Sequence, residues 1–187
     1  MAPKTGDQEG ANHLKALRYY QRVLTLNPKH HEAWYNLGYV QEELSEFKDA
    51  IVSFEKALEI APGDKDTLIN LGNCLMSLNN YEGSVKMYHA AIGLDPNCVM
   101  SHYNLASAHH SAANAATDPA VARKHFEAAR GEFQAAIRLN GDYADAYFNL
   151  GICYQDEGDD DNARRMYSAA LELQPGAPCV PSPWARV

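Results

Sequence analysis

Apolar residues recur at every third or fourth position through WYNLGYVQEELSEFKDAIVSFEKALEIAP, residues 34–62, which is the spacing of amphipathic helices. A Gly interrupts the first run and a Pro closes the second. The phrase then returns three times. Aligned on the Gly, WYNLG at Trp34 to Gly38 is followed by LINLG ending at Gly72, HYNLA ending at Ala106 and YFNLG ending at Gly151. A second helical run follows each, with Ala50, Phe54, Ala57 and Pro62 in the first unit. The matching landmarks are Ser84, Tyr88, Ala91 and Pro96 in the second unit, and Ala163, Tyr167, Ala170 and Pro175 in the last. The first two units lie 34 residues apart.

A 34-residue period with these landmarks resembles the tetratricopeptide repeat, a helix–turn–helix unit. The resemblance covers residues 11–177 and implies an all-α fold, a right-handed superhelix of antiparallel helix pairs. It also implies that the Gly sits where the two helices of a unit cross, so that the missing side group permits close approach. Gly costs about 1 kcal/mol of helix propensity relative to Ala, which tight packing must offset. Trp34, Leu37 and Phe54 are expected to fill the space around small Ala50 and Ala57. Each Pro ends the second helix of its unit. The repetition exists because no single pair buries its faces alone.

The boundaries divide the sequence into a half repeat at 11–30 and repeats at 31–64, 65–98, 99–143 and 144–177. Residues 1–10, rich in Gly, Pro and charge, are expected to be disordered, and 178–187 to form an irregular Pro-rich tail bearing Trp184. The half repeat carries only second-helix landmarks: Ala16, Tyr20, Val23 and Pro28. Repeat arrays need polar caps, so uncapped ends imply a longer array, a covering partner or end-to-end self-association. The third unit is longer. Ala106 and Ala129 stand 23 residues apart where Gly38 and Ala50 stand 12 apart. Asp118-Pro119 inside that insertion reads as an N-cap and first helical position, predicting two lengthened helices that meet between Ala116 and Pro119. Asn140-Gly141 replaces the Pro at this unit's end, so its exit turn is expected to differ.

The candidate chemistry follows from the repeat. An Asn recurs in all four units, at Asn36, Asn70, Asn104 and Asn149, on the helix that the family presents to ligands. This resembles the asparagine ladder of O-GlcNAc transferase, which holds extended peptides by bidentate contacts to their backbone. An Asn amide offers a donor to a backbone carbonyl and an acceptor to a backbone N–H. Helices stacked about 8–10 Å apart would place one Asn at about every third residue of an extended peptide. Tyr35, Tyr39, Asn73, Tyr103 and Phe148 flank the ladder, with Glu32, Asp66 and Asp145 one turn earlier. The groove so drawn favours a basic or aromatic-containing segment of a protein partner. Acids in a first turn also stabilise a helix dipole without any partner.

Composition removes other classes. A net charge of -8 argues against nucleic acid, whose phosphates need clustered Lys and Arg. Nowhere do 18 apolar residues run together, so no membrane span is expected. The start, MAPKTGDQEGANH, lacks the apolar stretch of a signal peptide. Cys74, Cys98, Cys153 and Cys179 lie far apart without a C-x-x-C pair, which fits a reducing cytoplasmic location and no zinc site. The positions that clamp a C-terminal carboxylate in chaperone cofactors of this family are Tyr35, Tyr39, Asn70, Met100 and Asn104 here, without a cation. The frame one unit on, Ile69, Asn73, Asn104, Asp145 and Asn149, has none either. His109, His110 and His125 flank the insertion, but adjacent helical residues diverge by about 100° and no helper carboxylate is spaced for a metal. No catalytic constellation, cofactor loop or metal set is expected. The sequence reads as a non-catalytic peptide-binding scaffold. The alternatives are the presenting arm of a larger enzyme such as a glycosyltransferase, or an end-to-end stacking module.

Overall fold

In the computed structural model residues 5–174 are described, and every regular element among them is an α-helix. The helices are α1 (Thr5–Leu26), α2 (His31–Glu43), α3 (Phe47–Ile60), α4 (Lys65–Ser77) and α5 (Tyr81–Leu94). They continue as α6 (Val99–Ala115), α7 (Pro119–Leu139), α8 (Ala144–Asp156) and α9 (Asp160–Leu173). Pro175, Cys179, Trp184 and the tail at 178–187 lie outside the described residues. The protein divides into two compact units after Leu94, α1–α5 in the first and α6–α9 in the second.

Within each unit successive helices pack on one another, and the first helices of neighbouring pairs also touch, α2 with α4 and α6 with α8. The crossing inside each pair is as close as the Gly implied. A Cβ added to Gly38 would stand 2.8 Å from two ring carbons of Phe54, and one on Gly151 2.6 Å from the Tyr167 ring. At Gly72 the distance to the Tyr88 ring falls to 2.5 Å. These rings are the largest groups at the crossings, and Phe54, Tyr88, Phe133 and Tyr167 are 0%, 1%, 1% and 2% exposed. Burial of one such ring stabilises the fold by about 1.5–3 kcal/mol. Ala106 stands in for the Gly in the third unit and is buried in one cluster with Ala129, Phe133 and Ala136.

The turn within each regular pair obeys a second rule. Ser45 and Asn79 have φ of 60° and 59°, and Gly158 has 80°. Each lies seven residues after its unit's Gly. Glu46 N–H donates to the Gln41 carbonyl and Ser45 N–H to the Glu42 carbonyl, both at 2.8 Å. Asn79-Asn80 and Gly158-Asp159 repeat that pair of bonds, the left-handed stop that satisfies a helix's last carbonyls. Only three residues then separate the helices of a pair.

The insertion lengthens both helices of its pair. α6 has 17 residues against 13 in α2, α4 and α8, and α7 has 21 against 14 in α3, α5 and α9. Asp118 caps α7 by accepting from Ala120 N–H at 2.8 Å, with Pro119 at the first helical position. Two features differ from what the sequence predicts. α1 begins at Thr5, inside the stretch expected to be disordered. No Pro lies between Pro3 and the apolar run, so nothing breaks a helix that is nucleated downstream and extends back through Gly6 and Gly10, although each Gly weakens it. The exit turn after α7 matches the others despite its missing Pro. Tyr143 N–H donates to the Asn140 carbonyl at 3.2 Å, as His30 does to Asn27, Asp64 to Ala61 and Cys98 to Asp95. Asn140 Oδ1 accepts from Asp142 N–H at 3.1 Å, as Asp95 does from Asn97. Asn140 aligns with Asn27, Ala61 and Asp95, and Gly141 takes the place of Pro28, Pro62 and Pro96, so the turn forms without Pro's fixed φ.

Gly72→Ala tests the crossing. Ala gains about 1 kcal/mol of helix propensity, but the methyl must displace a ring buried on all sides, at about 1–3 kcal/mol. The urea midpoint is expected to fall. A midpoint equal to or above that of the native protein would show that the crossing does not limit stability.

Candidate functional site

The four ladder asparagines sit on the first helix of their pairs and are half-buried. Asn36 and Asn70 belong to α2 and α4 of the first unit, Asn104 and Asn149 to α6 and α8 of the second. In the first unit Asn70 Nδ2 donates to the Tyr35 hydroxyl at 3.2 Å, linking α4 to α2. The second unit repeats the bond: Asn149 Nδ2 donates to the Tyr103 hydroxyl at 2.9 Å. Each of these two asparagines is therefore oriented by the Tyr that precedes the Asn of the repeat before it. Tyr35 leans on Phe54 with ring centroids 6.0 Å apart, and Tyr103 on Phe133 at 5.7 Å and Tyr143 at 5.0 Å. The rings that fill the helix crossings thus support the tyrosines that aim the asparagines.

What each amide can still offer differs. Asn70 keeps one amide hydrogen and Oδ1 uncommitted among the described residues, enough for a bidentate contact. Asn149 commits its amide hydrogens to Tyr103 and to the Asp145 carbonyl, both at 2.9 Å, and keeps Oδ1 as acceptor. Both tyrosine hydroxyls accept, so each has its own proton to give. Burial, the largest influence, raises the pKa of Tyr35 and of Tyr103, with Asp66 and Asp145 adding to it. The hydrogen bonds from Asn70 and Asn149 work the other way.

The flanking positions separate into two sets. Glu32, Asp66 and Asp145 occupy exposed first turns, and Tyr39 is exposed. Asn73 is half-buried and its Oδ1 accepts from the Tyr88 hydroxyl at 2.8 Å. Phe148 stacks against Tyr167 at 5.5 Å, closer to the pair's core than a groove floor requires. Glu42 carries more than the sequence assigns to it. Burial, then the neighbouring Glu43, pushes its carboxyl up to about 7. It lies near enough to Cys74 and Tyr88 to raise both. Its position on the inner edge of α2 follows from helix phase, but its desolvation depends on α4 and α5 and has no mark in the sequence.

Other chemistry finds little support. Burial pushes the Cys74 and Cys153 thiols up to about 12, which keeps them protonated and poor nucleophiles. Among the described residues no group of three or more His, Cys, Asp or Glu is placed to hold a metal ion. No described helix is long and apolar enough to cross a membrane.

Comparison with known proteins bears on the fold and the family. The protein is 28% identical over 130 residues to protein O-mannosyl-transferase Tmtc3 of Drosophila melanogaster, covering 67% of this sequence and 14% of that protein. It spans between 8% and 19% of the length of the curated relatives it matches. The crystal structure of MamA superposes with a TM-score of 0.79 at 20% identity, covering 94% of this protein and 97% of that one. YrrB, a TPR protein with an unusual peptide-binding site, gives 0.73 at 24% identity over 90% of this protein and 81% of that one. These two likenesses show the fold, that of a TPR protein. Residues 6–174 match the model of one family in particular. With α2 to α9 and all of α1 but its first residue inside that match, the protein belongs to the family of the cilia and flagella-associated protein 70 middle TPR-like domain.

Proposed function

We propose that the protein is a non-catalytic scaffold whose first-helix faces hold an extended segment of a partner protein by its backbone. The observation that carries this reading is Asn70. Its amide is held by the Tyr35 hydroxyl, with one N–H and Oδ1 left for a peptide unit and the Tyr35 proton beside them. An amide already held in one rotamer loses less entropy when a ligand arrives. Asn36 stands on the adjacent α2, and in the second unit Asn149 keeps Oδ1 as an acceptor, with Asn104 on the neighbouring α6. Support by analogy comes from YrrB, whose peptide-binding site is borne on the same fold. Glu42, Glu32 and Asp66 favour a basic segment in the first unit. The match to Tmtc3 supports a second reading, in which this domain presents partners or substrates for a larger enzyme such as a glycosyltransferase.

Binding to a randomised peptide array tests the first reading, with Asn→Ala at 36, 70, 104 and 149 as the comparison and helicity checked by circular dichroism. The native protein is expected to bind many sequences, and the variant to lose them together. Tyr35→Phe, which removes one hydroxyl and no apolar surface, should weaken binding by the equivalent of about 0.5–1.5 kcal/mol. Equal binding by native and variant proteins, or none by either, would reduce the ladder to family background.

A basic partner implies a pH dependence. Glu42 is protonated and neutral below its pKa of about 7 and charged above it. Affinity for Lys- or Arg-containing peptides should therefore rise as pH passes upward through 7, and Glu42→Gln should flatten that rise. A profile unchanged by the substitution would remove Glu42 from the recognition surface.

A further inference from the structure

In the lengthened pair, α6 and α7 are clasped by two histidines. His109 Nδ1 lies 3.0 Å from His125 Nδ1, with ring centroids 5.3 Å apart and planes inclined by 40°. His109 stands three residues after Ala106, as Gln41 stands after Gly38. In the first unit that position also bridges the pair, because the Gln41 Oε1 accepts from Ser53 Oγ at 2.6 Å. The third unit has replaced this neutral bridge with two imidazoles, and His125 comes from the added N-terminal part of α7, before Ala129.

A neutral imidazole has one N–H and one lone pair, so two Nδ1 atoms at this distance share a single proton between two lone-pair directions. A divalent metal can take that proton's place. With metal–nitrogen bonds of about 2.0–2.1 Å, tetrahedral ligand nitrogens stand roughly 3.3–3.4 Å apart. With the nitrogens 3.0 Å and the centroids 5.3 Å apart the lone pairs face each other head-on, so to share a tetrahedral ion the rings would separate by about 0.3–0.4 Å and each pivot by about 35°. His110 takes no part, since one residue along the helix turns it away by about 100°. It meets Asp156 Oδ2 at 2.7 Å on α8 instead, and Asn114 at 3.3 Å.

We propose that His109 and His125 form a two-point chelate for a divalent transition-metal ion of the kind imidazole favours, such as Zn²⁺, pinning the extended parts of α6 and α7 together. Water, or a donor from a partner, completes the coordination.

Calorimetric titration of the whole protein with Zn²⁺ tests the assignment. One ion per molecule is expected, with affinity reduced about tenfold or more by His109→Gln and by His125→Gln, and unchanged by His89→Gln. Absence of binding, or binding indifferent to both substitutions, would overturn it. Should either variant lose helix, histidine-ring NMR of the native protein answers the same question. Two of the eight histidines shifting on Zn²⁺ addition supports the chelate, and shifts spread over other rings, or none, refute it.

Discussion

The close crossing of two helices inside each repeat governs the rest of this structure. A ring from the second helix, Phe54, Tyr88 or Tyr167, rests against a glycine of the first, and a methyl group there would intrude to within 2.8 Å or less. That contact buries an aromatic ring almost completely and fixes the angle and height at which the two helices meet. It also sets the turn that follows. The first helix must reverse within three residues to bring its partner back, and a left-handed residue at Ser45, Asn79 or Gly158 makes the reversal. In the lengthened pair Ala replaces the Gly, and the chain also reverses within three residues, 116–118, but no described residue of that turn has positive φ.

The crossing reaches the outer face of the first helices, the candidate site, through the tyrosines. Phe54 and Phe133 support the rings of Tyr35 and Tyr103, whose hydroxyls receive the amides of Asn70 and Asn149 from the next repeat. Core packing and the orientation of the candidate binding groups therefore belong to one series of contacts. The same bonds grade the ladder, because Asn70 retains a donor and an acceptor while Asn149 retains only the acceptor. A sequence with four equivalent asparagines thus folds into sites of unequal capacity.

Much of this is legible in the sequence because the repeat compares each position with itself. Gly38, Gly72 and Gly151 declare the crossing, and Asp118-Pro119 locates the start of α7. The residues seven places after each Gly are a signal of the same kind, since Ser, Asn and Gly share a tolerance for hairpin-like turns, but their type varies too much to be noticed singly. The onset of α1 is hidden because helix extension from an established nucleus needs little local propensity. Gly141 misleads because the hydrogen bonds of this turn form with or without Pro's fixed φ. The Tyr–Asn bonds, the desolvation of Glu42 and the meeting of His109 with His125 each depend on the phase and height of two helices, which periodicity alone does not set.

The central claim is that the first-helix faces, aimed by Tyr35 and Tyr103, engage a peptide backbone through their asparagines. The most direct measurement follows the Asn side-group amide resonances of the native protein as a basic extended peptide is added. The Asn36 and Asn70 amides are expected to shift together with peptide, and the amide hydrogens of Asn149 to move less because they are already committed. Saturable binding that leaves the Asn36 and Asn70 amides unmoved, with shifts confined to the second helices of the pairs, would contradict the claim.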